Sequence, residues 1–289
     1  MPAPVAIPPW SSAAPEEGDA VGVRLGEGLG AVWGKIEVAC MPAFEPDVEA
    51  MAGAVPSSRS ATNTPNAAFT SASVEPPGRV GVMLRLDHVV YAVGDLDDAA
   101  VRFREAFGLD SVAGGRHERW GTANRIVPLG EQYLELVAAV DREAAAAGGF
   151  GRAVMDRTDT GGGWITLAVA TDDLDGVADR LGLEVGSGSR TRPDGQVVRW
   201  RMVGLDDTRR QPWMPFFLAW DVPGQLHPGR ARAGHGVRAD RIAWVEVAGD
   251  PDRLHAWLGA EELRIRMTDG EPGIRRVAVA TTEAELIIE

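Results

Sequence analysis

The chain has 289 residues, a net charge of −13 and a single cysteine, Cys40. Such acidity repels phosphate backbones and no local basic patch offsets it, so nucleic acid is not an expected partner. One cysteine excludes intrachain disulfides and cysteine-based zinc clusters, and no apolar run approaches the roughly 20 residues of a membrane helix.

Residues 1–82 are rich in Ala, Pro, Ser and Gly and show neither strand nor helix periodicity. The stretch Val55–Arg79 cannot bury enough apolar surface to offset its ordering entropy. The segment is expected to be a disordered extension, with 20–40 the only part able to pair weakly. It is either a regulatory or targeting tail or an over-extended gene start with Met83 as the true beginning. No basic-then-apolar leader opens the chain, so a cytoplasmic location is expected. Arginine is abundant while lysine occurs only at Lys35, a bias expected of a GC-rich bacterial genome.

Regular patterning starts at Leu84. A β-rich run over 86–93 leads into 94–109, where Asp95 can cap a helix with Ala99, Phe103 and Phe107 on one face and Gly108 at its end. Strands are expected at Asp110–Arg116, Ala123–Leu129 and Gln132–Val140, parted by Gly121 and Gly130. Gly161–Gly163 reads as a linker or hinge. Residues 164–183 then repeat the strand, acidic cap and helix, followed by strand candidates Glu184–Arg190, Val197–Val203 and Pro215–Asp221. A third opening at 241–260 continues into strand candidates at 263–269, 274–281 and 284–289. From Asp95 to Asp173 is 78 residues and from Asp173 to Asp250 is 77. A repeat at this period implies an α+β chain of βαβββ modules at 83–160, 161–232 and 233–289. No GxSxG elbow, GK[ST] phosphate loop, HExxH or dinucleotide fingerprint is present.

A module that opens D-H-V-V-Y-A-V (87–93) and closes Y-L-E-L-V (133–137) resembles the vicinal oxygen chelate superfamily. Within that superfamily, G-G-R-H-E-R-W-G-T-A-N-R-I-V-P-L-G-E-Q-Y-L-E-L-V (114–137) resembles the glyoxalase-like domain. The resemblance implies that two modules face each other around a cavity. It also implies a divalent metal (zinc, iron, manganese or nickel) held by a His from a first strand and a Glu from a last strand. His88 and Glu135 stand at those positions. Strand alternation places His88 with Leu86 and Val90, and Glu135 with Tyr133 and Val137.

The second module departs from the pattern. Counting back from the cap aspartates puts Thr166 and Ala243 where His88 stands, and aligning L-E-L-V with L-A-W-D puts Ala219 opposite Glu135. The metal site is thus half present unless His117 or His227 completes it. Glu135 and His117 are the catalytic candidates, and Trp120, Asn124, Tyr133, Trp220 and His227 the substrate-binding ones. Structural alternatives stand beside these: an ion pair between Glu135 and Arg125, a turn cap for Asn124, and core packing for the rings. His235 and His255 read as structural or solvated. Two functions follow from the resemblance. One is a metal-dependent isomerase, lyase or oxygenase acting on a small substrate with vicinal oxygens. The other is a metal-free protein that sequesters a small molecule. An odd number of modules leaves one unpaired, which suggests a homodimer.

Overall fold

The computed structural model describes residues 83–208, 211–259 and 263–289; the expectations for residues 1–82 and Cys40 lie outside them. β1 (Leu84–Ala92) runs into Asp95, whose Oδ1 accepts the backbone N–H groups of Asp97 and Asp98 at the start of α1 (Leu96–Phe107). Gly108, at φ +66, closes that helix in the left-handed conformation that favours glycine. β2 (Val112–His117), β3 (Thr122–Leu129) and β4 (Gln132–Ala139) follow.

Two helices that the periodicity did not single out follow: α2 (Arg142–Ala147) and α3 (Gly149–Thr158). Phe150 and Val154 recur at i and i+4 along the buried face of α3. β5 (Gly163–Thr171), which begins at the last of the three glycines, repeats the pattern of β1. It leads into α4 (Leu174–Leu181), capped by Asp173. β6 (Gly186–Thr191), β7 (Val197–Val203), the short α5 (Leu205–Thr208) and β8 (Phe216–Trp220) complete this half.

These eight strands close into a barrel in the order β1-β4-β3-β2-β6-β7-β8-β5. First and last strands of each half lie side by side and parallel, with Val90 opposite Glu135 and Ala168 opposite Phe216. β1 and β5 pair antiparallel across one seam, and Arg116 of β2 meets Thr191 of β6 across the other. Gly115 makes the second seam possible: a Cβ there would lie 2.3 Å from the Thr191 carbonyl oxygen, and its φ of +150 favours glycine.

The remaining elements are β9 (Ala239–Ala248), α6 (Pro251–Leu258, capped by Asp250), β10 (Ile265–Thr268), β11 (Gly273–Thr281) and β12 (Glu285–Ile288). They come in βαβββ order but hydrogen-bond differently. The sheet runs β10-β9-β11-β12, so the first strand lies between the second and third and does not touch the last. It is not a further half-barrel, and its topology adds nothing to the unpaired-module argument for a dimer. Its C-terminus seats on the barrel, where the Trp164 indole donates to the Ile288 carbonyl at 3.3 Å.

Two apolar clusters divide the barrel wall. Val89, Tyr91, Leu134, Leu136, Leu167 and Val169 face outward under α1, α4 and the second sheet. Val90, Ala92, Val137, Ala168, Phe216, Trp200 and Leu218 face inward. Full burial of each valine, leucine or phenylalanine among them contributes about 1.5–3 kcal/mol. No helix among the described residues is long and apolar enough to cross a membrane.

Candidate active site

Strand alternation alone would send Asp87 and His88 to opposite faces of β1. A bulge prevents this: the β1–β5 register shifts between Leu86, opposite Val169, and His88, opposite Ala168. With one residue inserted, Leu84 and Leu86 join the outward cluster with Val89 and Tyr91. His88 therefore shares its face with Val90 but not with Leu86, correcting the expectation from simple alternation. The bulge also lets the Asp87 carboxylate reach the ring of its own neighbour.

That contact is short, with His88 Nδ1 2.6 Å from Asp87 Oδ1. Asp87 Oδ2 accepts from Trp220 Nε1 and from His227 Nε2, each at 3.0 Å. His227 Nδ1 accepts the Gly229 backbone N–H, which leaves its proton on Nε2 for Asp87. Burial alone would raise the Asp87 carboxyl. The hydrogen bonds from His227 and His88 outweigh burial and hold it below the ordinary carboxylate range. An ionised Asp87 can only accept, so it fixes the His88 proton on Nδ1 and turns Nε2 toward the barrel interior.

Inside, His88 Nε2 stands 3.5 Å from Glu135 Oε2. Glu135 Oε1 accepts the Asn124 amide at 2.7 Å, and His117 Nε2 lies 3.9 Å from the same oxygen. His117 Nδ1 is held by the Thr122 hydroxyl at 3.0 Å. Burial drives the His117 imidazole down to about 4, against the Glu135 charge and helped by that of Arg190, so it is uncharged at neutral pH. Tyr133 stacks on His88 with ring centroids 4.4 Å apart. Burial, reinforced by the Asp87 and Glu135 charges, holds its phenol well above its ordinary value.

His88, His117, Trp120, Asn124, Tyr133, Glu135 and Trp220 all line one cavity. His227 does not; it lies behind Asp87 and lines neighbouring clefts instead. Arg125 does not pair with Glu135: its guanidinium is taken by Ser111 and Asp97. Asn124 binds Glu135 instead of capping a turn. His235 is structural, with Nδ1 accepting the Asp110 N–H and Nε2 donating to the Pro128 carbonyl; His255 is exposed.

Sequence reasoning missed Asp87, Arg190, Phe216 and Phe150. Arg190 had a legible signal, since it alternates with Gly188 along β6 and so falls on one face of a strand otherwise made of small residues.

The strand register also corrects one pairing between the halves. Val90 lies opposite Thr166 as His88 lies opposite Ala168, so the two halves superpose His88 on Thr166 and Val90 on Ala168. The residue matching Glu135 is then the one opposite Ala168, namely Phe216, whereas Ala219 pairs with Arg201. The superfamily's metal needs convergent donors from both halves. Phe216 instead turns its ring edge to His88, with centroids 5.7 Å apart. Among the described residues no group of three or more His, Cys, Asp or Glu side chains is arranged to hold a metal ion. Among the described residues the second half therefore brings no donor that fits that metal.

A family model described as a glyoxalase-like domain matches residues 86–263. A hypothetical protein from Staphylococcus aureus shares the fold at TM-score 0.54 and 17% identity, over 72% of this chain and 99% of that one. A variant of Streptomyces coelicolor methylmalonyl-CoA epimerase, in complex with 2-nitronate-propionyl-CoA, aligns at TM-score 0.34 and 19% identity, over 47% of this chain and 92% of that one. The Mycobacterium tuberculosis methylmalonyl-CoA epimerase aligns at TM-score 0.35 and 22% identity, over 48% and 89%. No curated protein matches the chain in sequence.

Proposed function

The chain belongs to the glyoxalase-like domain family, and we propose that its barrel is the active site of an isomerase that moves a proton at a carbon beside a substrate carbonyl. The observation that carries this reading is the His88 ring held between two buried carboxylates, Asp87 at 2.6 Å and Glu135 at 3.5 Å. Asp87 keeps the His88 proton on Nδ1, so Nε2 presents its lone pair to the cavity as a general base. Nε2 takes the proton from the carbon, and the electron pair moves onto the carbonyl oxygen to give an enolate. The resulting imidazolium is paired by Asp87 and Glu135. It returns the proton to the same carbon. Asn124, bound to Glu135, fixes the second carboxylate, and the uncharged His117 adds a polar group without adding charge. Positioned proton transfer of this kind contributes about 10²–10⁴ in rate.

Hydrogen exchange tests it. The full chain is incubated in D₂O with a panel of small carbonyl compounds, and deuterium at the carbon beside the carbonyl is followed by mass spectrometry. Wild type is expected to exchange at least one compound, and His88→Gln to lose that activity. Exchange that survives His88→Gln sinks the assignment.

A second reading, sequestration of an apolar or aromatic small molecule, is supported by the rings of Trp120, Tyr133, Phe150, Trp200, Phe216 and Trp220 around the cavity. Quenching of tryptophan fluorescence by a ligand that undergoes no exchange is its expected sign.

A further inference from the structure

We propose that Arg190 is the anchor for a carboxylate on the substrate, so that the site takes small acids with a carbonyl or hydroxyl beside the carboxylate. This deepens the acid–base reading and rests on it only for the position of the reacting carbon; the binding claim stands on the cavity itself.

Arg190 projects from β6 into the cavity and is 5% exposed. A buried guanidinium is costly unless paired and hydrogen-bonded on its fork. Yet its one hydrogen bond within the described residues is long, from Nη1 to Asn124 Oδ1 at 3.5 Å, and its Nε has no partner. Arg276, which is less buried, shows what the fork normally takes: its Nε and Nη2 meet the two oxygens of Glu246 at 2.9 and 2.8 Å. No such carboxylate reaches Arg190, because Glu135 is turned to Asn124 and His88. The cavity thus holds a carboxylate-shaped fork that no side chain among the described residues fills.

The surroundings support a small, planar occupant. Gly114 leaves the Arg190–Asn124 pair room to meet, since a Cβ there would stand 2.0 Å from Asn124 Oδ1 and 2.9 Å from Arg190 Nη1. Asn124 links the arginine to Glu135, and Glu135 faces His88. A carboxylate on the Arg190 fork therefore places the adjacent carbonyl toward the acid–base pair. A planar anion matches the fork with two parallel hydrogen bonds, whereas a neutral amide of the same shape offers one acceptor and loses the charge.

Thermal denaturation of the full chain tests the proposal with pyruvate, pyruvamide and inorganic phosphate at matched millimolar concentrations. Pyruvate is expected to raise the midpoint while pyruvamide and phosphate leave it near the ligand-free value. Arg190→Gln is expected to weaken pyruvate binding about tenfold or more. Pyruvate binding by the wild-type chain without hydrogen exchange would remove only the acid–base reading, which separates this claim from the chemistry. Equal shifts with pyruvate and pyruvamide, a larger shift with phosphate, no shift with pyruvate, or full binding by Arg190→Gln each overturn it. Should Arg190→Gln fail to fold, the wild-type comparison of acid and amide decides alone.

Discussion

His117 makes the folded chain sensitive to mild acid. Its imidazole is 3% exposed and held down to about 4, while the same group in the unfolded chain titrates near the ordinary 6.5. Between those two values the unfolded state binds more protons than the folded one, so stability falls as pH falls. The stabilisation is fully present above pH 6.5 and is lost progressively as pH drops to about 4. A difference of about 2.5, at about 1.36 kcal/mol each, amounts to roughly 3 kcal/mol, a large part of the about 5–15 kcal/mol that holds a domain folded. Urea denaturation from pH 7 to pH 4 measures it in wild type and His117→Gln. The variant starts less stable, having lost the bond to Thr122, but its stability should decline by about 3 kcal/mol less across the window. Parallel curves for the two proteins between pH 6.5 and 4 would refute the reasoning. Asp87 acts in a separate, lower window. Its carboxyl is held below the ordinary range, so its contribution is present above the usual 3.8 and is lost only as pH falls beneath it.

Three substitutions probe the architecture around the site. Gly114→Ala drives a methyl into the Asn124 amide, whose oxygen lies 2.0 Å from the ideal Cβ position, and should cost about 1–3 kcal/mol in a thermal melt. Asp87→Asn keeps the shape but presents an amide to three donors; hydrogen exchange should drop about 10²–10⁴ as the His88 proton loses its fixed place. His235→Ala strands the Asp110 N–H and the Pro128 carbonyl that the ring joins, and should lower the urea midpoint by the equivalent of about 1–3 kcal/mol.

Local chemistry made much of this protein legible in one dimension. Asp95, Asp173 and Asp250 do cap helices, because a carboxylate before an apolar 3.6-residue period satisfies amides the helix leaves open. Period-two alternation along β4 correctly put Tyr133, Glu135 and Val137 on one face, since that strand carries no bulge. Tertiary structure decided what alternation could not. The extra residue at Asp87 moved Leu86 away from the face of His88 and brought the carboxylate onto the ring, and only the register with β5 reveals it. Pairing of Ala168 with Phe216 put a hydrocarbon ring where aligned letters had placed Ala219. Closure of β2 on β6 carried Arg190 to Asn124, 66 residues away in the chain. The order of β9 to β12 separated a third matching run of elements from the first two. Caps and periods depend on neighbours within a turn or two of chain. Which side chains share a cavity depends on hydrogen-bond register between distant strands, where one inserted residue reverses the facing of everything before it.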